Sequence, residues 1–262
     1  MPFLDHLEEL RWRLLWSIVA VVISSIIAFA FVHYFGVLDL LVEPIREAYD
    51  DPGLRLIFLS PADPFFVTLR LAIYGGLILS FPILVYHTWA FLSPALEKDE
   101  KRAIMPALYL GLLLFIAGVA LAYFAALPMT LAFFKGFLTA SLEGQLEINA
   151  TLGFIVKLLF AFGVVFELPI VILALSLMGL VTPTFLRSKR RHAIVLITVL
   201  ASFITPGDAI TLTVMMMFPL VLLYEFGILL SAGVYRRREK AEREERKHEA
   251  SLEPPTGAVR TQ

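Results

Sequence analysis

Several acidic side chains in this chain stand where an acid is either costly or useful. The stretch "LLFAFGVVFELPIVILALSLMG", residues 158–179, reads as a membrane span with Glu167 inside it. A mid-span carboxylate costs roughly 2.5–3.5 kcal/mol on insertion scales. Protonation lowers that cost and makes the group a hydrogen-bond donor. Glu167 is therefore expected to face a groove, a partner helix or water. A Glu bonded within its own bundle, with no direct function, is the alternative. Pro169 follows two residues later and withdraws a backbone donor, so a local polar pocket is expected there. Further along, "TPGDAI" places Asp208 in a tight turn, where it either caps the next helix or serves a partner. In "SPALEKDEKRA", residues 93–103, Glu97, Asp99 and Glu100 could accept a basic ligand. Guanidinium suits carboxylate because the contact is bidentate and charge-assisted. Without more, that loop also reads as a plain solvated turn. At the start, "FLDHLEELRWRLL" spaces Phe3, Leu4, Leu7, Leu10 and Leu14 for an amphipathic helix lying in the membrane interface, with Glu9, Arg11 and Arg13 on its polar side.

These groups need a scaffold, and the composition says which kind. Of 262 residues, 59% are hydrophobic and 17% charged, with runs long enough to cross a bilayer. The fold class is all-α: a polytopic membrane protein of six transmembrane helices in a concave bundle. Residues 1–234 form the six-span domain, and 235–262 a charged tail that is partly disordered. The spans read as 14–35, 65–92, 104–131, 152–178, 193–204 and 210–232. Twelve residues in the fifth give ~18 Å against a ~30 Å hydrocarbon core. In the sixth, Glu225 breaks the apolar run, leaving 210–224. Two short neighbours imply local thinning of the bilayer or a re-entrant hairpin. Pro82, Pro169 and Pro219 fall inside spans and bend them. Long outer loops, 36–64 and 132–151, are expected to be ordered caps.

Of 22 Lys and Arg, only Arg46, Arg55, Arg70, Lys135 and Lys157 fall on one side. The positive-inside rule then puts both termini in the cytoplasm. No cleavable signal peptide is expected at the N-terminus. The chain has no cysteine. Its five histidines are scattered and no hydrolase or nucleotide motif occurs, so no metal, cofactor or catalytic residue is expected. No internal repeat stands out, which counts against a symmetric transporter.

Four segments in register, "HLEELRWRL", "FLSPALEKDEKR", "AFGVVFELPI" and "TPGD", resemble the TatC family, the multispanning subunit of the twin-arginine protein translocase. The resemblance runs from Leu4 to about Val234. It implies a receptor for twin-arginine signal peptides of folded cargo and a core scaffold for export across the cytoplasmic (inner) membrane, driven by the proton-motive force. The implied partners are the single-span TatA and TatB subunits, the signal peptides, membrane lipids and further copies of the chain; nucleic acid is not among them. It also implies site residues. Glu9 and Glu100 match the signal-binding glutamates, with Arg11, Arg13, Phe91, Pro94 and Arg102 shaping the site. Pro44 matches the outer cap, Tyr123 an aromatic of the third span, Glu167 the intramembrane glutamate facing the cavity, and Asp208 the acid of the outer turn. The family often carries Gln soon after that acid, where this chain has Leu212. The competing reading is a proton-coupled small-solute transporter using Glu167.

Overall fold

Leucine-, isoleucine- and phenylalanine-rich runs can satisfy their backbone in lipid only as helices, and the computed structural model is helical accordingly. It describes residues 3–93, 104–136, 145–204 and 210–252. Ten α-helices follow in order: α1 Phe3–Tyr34, α2 Val37–Tyr49, α3 Asp63–Leu92, α4 Ile104–Leu121, α5 Leu127–Gly136, α6 Ile148–Val165, α7 Leu168–Leu177, α8 Pro183–Ser188, α9 Arg190–Ile204 and α10 Ile210–Leu252. A π-helical turn, Ala122–Ala126, joins α4 to α5. Among the described residues five helical stretches are long and apolar enough to cross a membrane: Asp5–Tyr34, Asp63–Phe91, Met105–Gly136, Ile148–Leu177 and Met217–Lys240. The protein is a multi-pass membrane protein. Side chains such as Ile18, Val22 and Ile26 on α1 are half or more exposed, as lipid-facing residues are.

The fifth span is short in the structure too: α9 has 15 residues, ~22 Å by helical rise. Glu225 interrupts the apolar run of the sixth but not its helix: Arg190 at the start of α9 donates to Glu225 Oε2 at 2.6 Å, and α10 runs on into the charged tail as far as Leu252. Arg238 donates to the Leu177 carbonyl, Tyr224 to the Leu186 carbonyl, and Ser176 to Ser231 at 2.7 Å. Together these bonds fix α10 against α7 and α8. The N-terminus departs from expectation. No break separates an interfacial helix from the first span; α1 is one rod of 32 residues, ~48 Å long.

Helix α1 lies along α3, and the approach is close enough to exclude a side chain. A Cβ on Gly76 would fall 2.5 Å from Ser25 Cα and 2.6 Å from its nitrogen. Small residues at such crossings bring two backbones together in lipid, where packing drives association. Between α3 and α4, Phe81 stacks on the buried Phe115 at 3.8 Å.

The loop after α1 folds into a cap. Helix α2 buries Leu41, Val42, Pro44 and Ile45 and is tied down from the side. Tyr123, in the π turn, donates to the Leu40 carbonyl at 2.7 Å. Lys135 donates to the Ala48 carbonyl at 3.1 Å and to Asp50 at 2.8 Å. The two outer segments pair with each other: Ile57 N–H donates to Leu146 and Ile148 N–H to Ile57.

Candidate functional site

Two places in the fold hold the described acids among those singled out above, Glu9 and Glu167; Glu97 and Asp99 lie outside the described residues. The first is where the start of α1 meets the end of α3. Glu9 and Arg13 are one helical turn apart, and that spacing puts them on one face. Arg13 Nε donates to Glu9 Oε1 at 2.9 Å, and Nη2 reaches the same oxygen. The other carboxylate oxygen lies 3.5 Å from His6 Nδ1. His6 in turn stacks on Phe91 of α3, with centroids 4.4 Å apart and planes 10° from parallel. The contacts thus run Phe91, His6, Glu9, Arg13, and join the two helix ends. Arg11 is exposed, and among the described residues it forms no ion pair.

This arrangement brings together Glu9, Arg13 and Phe91, three of the residues the resemblance marks, and adds His6, which sequence reasoning left among the scattered histidines. Its three-residue spacing from Glu9 was the available signal. Pro94, Glu100 and Arg102 lie outside the described residues, as does Asp208. Ser93, the last described residue before 94–103, stands two residues from Phe91. A guanidinium arriving at Glu9 meets a carboxylate already engaged by Arg13. Such helix-surface pairs are weak, so a better-placed, bidentate guanidinium can displace it.

The second place is Glu167. Helix α6 ends at Val165 and α7 begins at Leu168, with Glu167 at the junction. The break follows from Pro169, whose ring nitrogen has no hydrogen to return to Val165. Of the three prolines expected to bend spans, only this one coincides with a helix end; α3 and α10 continue through Pro82 and Pro219. The Glu167 carbonyl accepts from the Ile170 and Val171 amides, while its side chain lies against α4. A Cβ on Gly111 would stand 3.1 Å from Oε2. Oε1 is buried, and among the described residues it makes no hydrogen bond. Ten residues separate Glu167 from the end of α7, ~15 Å by rise. The group therefore sits nearer the Glu9 end of the bundle than the α2 end.

The cap holds Pro44 buried within α2, and Tyr123 anchors that helix at Leu40. Sequence reasoning marked both positions but not the bond. Among the described residues no cluster of His, Cys, Asp or Glu could hold a metal ion.

Comparison with known proteins bears on this geometry. Residues 5–219 match the family model of the Sec-independent protein translocase protein (TatC). The chain is 39% identical to the Sec-independent protein translocase protein TatC of Aquifex aeolicus, over 93% of this chain and 100% of that protein. It is 37% identical to the TatC of Desulforapulum autotrophicum, over 93% and 88%. Among solved structures it is similar to a crystal structure of the twin arginine translocase receptor TatC, with a TM-score of 0.73 and 40% identity, covering 87% of this chain and 98% of that one. The same receptor in DDM gives a TM-score of 0.75. These likenesses are to a protein translocase, and the small-solute transporter reading finds no support in them.

Proposed function

Because the chain belongs to the TatC family of Sec-independent protein translocase proteins, we propose that it is the receptor for twin-arginine signal peptides. In this reading it sits in the cytoplasmic membrane with both termini inside. The observation that carries the reading is the junction of α1 and α3. The Phe91–His6 stack holds Glu9 beside the origin of the 94–103 segment, which carries Pro94, Glu100 and Arg102. One carboxylate per arginine gives each guanidinium a charge-assisted partner. Arg13 occupies Glu9 until a signal arrives, and Arg11 and Arg102 are assigned to the same site.

Glu167 plays a separate part. Its unpaired buried oxygen is a cost that a polar group on an inserted signal or a single-span partner would remove. We assign TatA and TatB as those partners, Pro44 and Asp208 to the outer surface that orders them, and the proton-motive force as the energy source. Further copies of the chain complete the assembly.

The test is a pull-down of the detergent-solubilised protein with immobilised signal peptides. An Arg-Arg peptide retains it and a Lys-Lys peptide does not. Equal retention by both overturns the receptor reading.

A further inference from the structure

Towards the α2 end of the bundle lies an open pocket of about 400 Å³, lined by Arg70, Asn149, Ala150, Gly153, Phe154 and Lys157. Its size falls within the roughly 300–1,000 Å³ of small-ligand clefts. Two cations meet in it from different helices, Arg70 from α3 and Lys157 from α6. Both are exposed, and among the described residues neither has an acidic partner. The guanidinium is nonetheless held. Arg70 Nη1 donates to the Asn149 carbonyl at 3.2 Å, and it rests on the backbone of α6 at a glycine: a Cβ on Gly153 would stand 2.7 Å from Nη1.

Depth selects the ligand. Arg70 is seven residues from the start of α3, ~10 Å along the helix, and Lys157 nine from the start of α6, ~13 Å. Each span has about 30 residues, near 45 Å, and overhangs a ~30 Å core by several ångströms at each end. The two α-carbons therefore lie just inside the hydrocarbon boundary, and their long side chains reach the headgroup layer by snorkelling. Exposed cations at that level are costly unless an anion meets them. A planar guanidinium fork beside a compact ammonium fits a phosphate, which takes both bidentate and point-charge contacts.

We propose that this pocket binds the phosphate headgroup of an anionic phospholipid in the leaflet at the α2 end. The site is independent of the receptor surface at the opposite end.

Native mass spectrometry on the full-length detergent-purified chain tests it with three probes: phosphatidylglycerol, phosphatidylcholine and soluble glycerol 3-phosphate. The wild type retains phosphatidylglycerol in preference to phosphatidylcholine. The R70Q/K157Q double variant loses affinity about 30-fold, from roughly fivefold per cation at a membrane surface. Gly153→Ala keeps both charges, displaces the guanidinium and also weakens retention; its thermal midpoint checks that the chain is folded. Unchanged phosphatidylglycerol retention in folded R70Q/K157Q overturns the site, including where that variant instead loses a copurifying protein. Displacement of phosphatidylglycerol by equimolar glycerol 3-phosphate overturns the lipid assignment in favour of soluble phosphate.

Discussion

Replacing Gly76 with Ala tests whether the α1–α3 contact is as close as the structure has it. The added methyl would lie 2.5–2.6 Å from Ser25 backbone atoms, where carbon atoms rest at ~3.5–4.0 Å. The helices must then part by roughly 1.0–1.5 Å at that level. Overpacking costs about 1–3 kcal/mol, and a backbone obstacle that cannot rotate away puts this case near the top. Alanine's better helix propensity returns about 1 kcal/mol, leaving a net loss of about 2 kcal/mol. At ~2–4 °C per kcal/mol for a chain of this size, the thermal midpoint in detergent falls by about 4–8 °C. Gly233→Ala is the matched control, because nothing lies within 4 Å of its added Cβ. There only the propensity gain acts, and the midpoint holds or rises by ~2–4 °C. The same chemical change thus has opposite signs at two sites. Intrinsic fluorescence of the exposed Trp12 and Trp16, followed on heating, reads both. A Gly76→Ala midpoint equal to that of Gly233→Ala would refute the close packing.

Three further outcomes follow from named contacts. Arg13→Ala removes the internal competitor of Glu9 and increases capture of an Arg-Arg peptide, measured by cross-linking yield; a decrease would show that Arg13 serves binding rather than occupying its site. Tyr123→Phe deletes the bond to Leu40 and loosens α2 by about 1 kcal/mol, seen as roughly fivefold faster amide exchange across residues 37–49 with the remaining helices unchanged. Asp50 is held below the usual carboxylate range chiefly by its hydrogen bond from Lys135. A depressed folded-state value means that this contribution to cap docking is present above the ordinary Asp range and is lost as pH falls through the lowered value. Protection of the amides in residues 37–49, taken relative to intrinsic exchange at each pH, therefore falls on acidification, and Lys135→Met removes that part of the pH dependence.

Much of the architecture is legible in residue patterns because lipid forces it. A long apolar run must be helical, and basic residues crowd one side. The short α9 was readable from its length alone. What was not readable depends on partners far apart in the chain. Glu225 interrupts an apolar run with no partner in sight until Arg190, 35 residues earlier, is seen to pair with it. The continuity of α1 through "HLEELRWRL" could not be told from an interfacial helix, since Leu7, Leu10 and Leu14 are exposed to lipid as readily as to an interface. The π turn at Ala122–Ala126 has no local signature; its use is visible only in the reach of Tyr123 to Leu40. At the α1–α3 junction Glu9, Arg13 and Phe91 were marked by resemblance, but the link between them is His6, whose contacts need both α1 and α3 in place. Arg70 and Gly153 were simply two residues of different spans until packing brought them together.

Glu9, at the α1–α3 junction, and Glu100 are proposed to read the arginine pair of a signal. Binding of Arg-Arg and Lys-Lys peptides to the wild type, Glu9→Gln and Glu100→Gln, measured by titration in detergent, tests this reading most directly. The penalty for lysine is expected to be large in the wild type and to shrink in each variant, because the bidentate acceptor is gone. A lysine penalty that survives undiminished in both variants would contradict it.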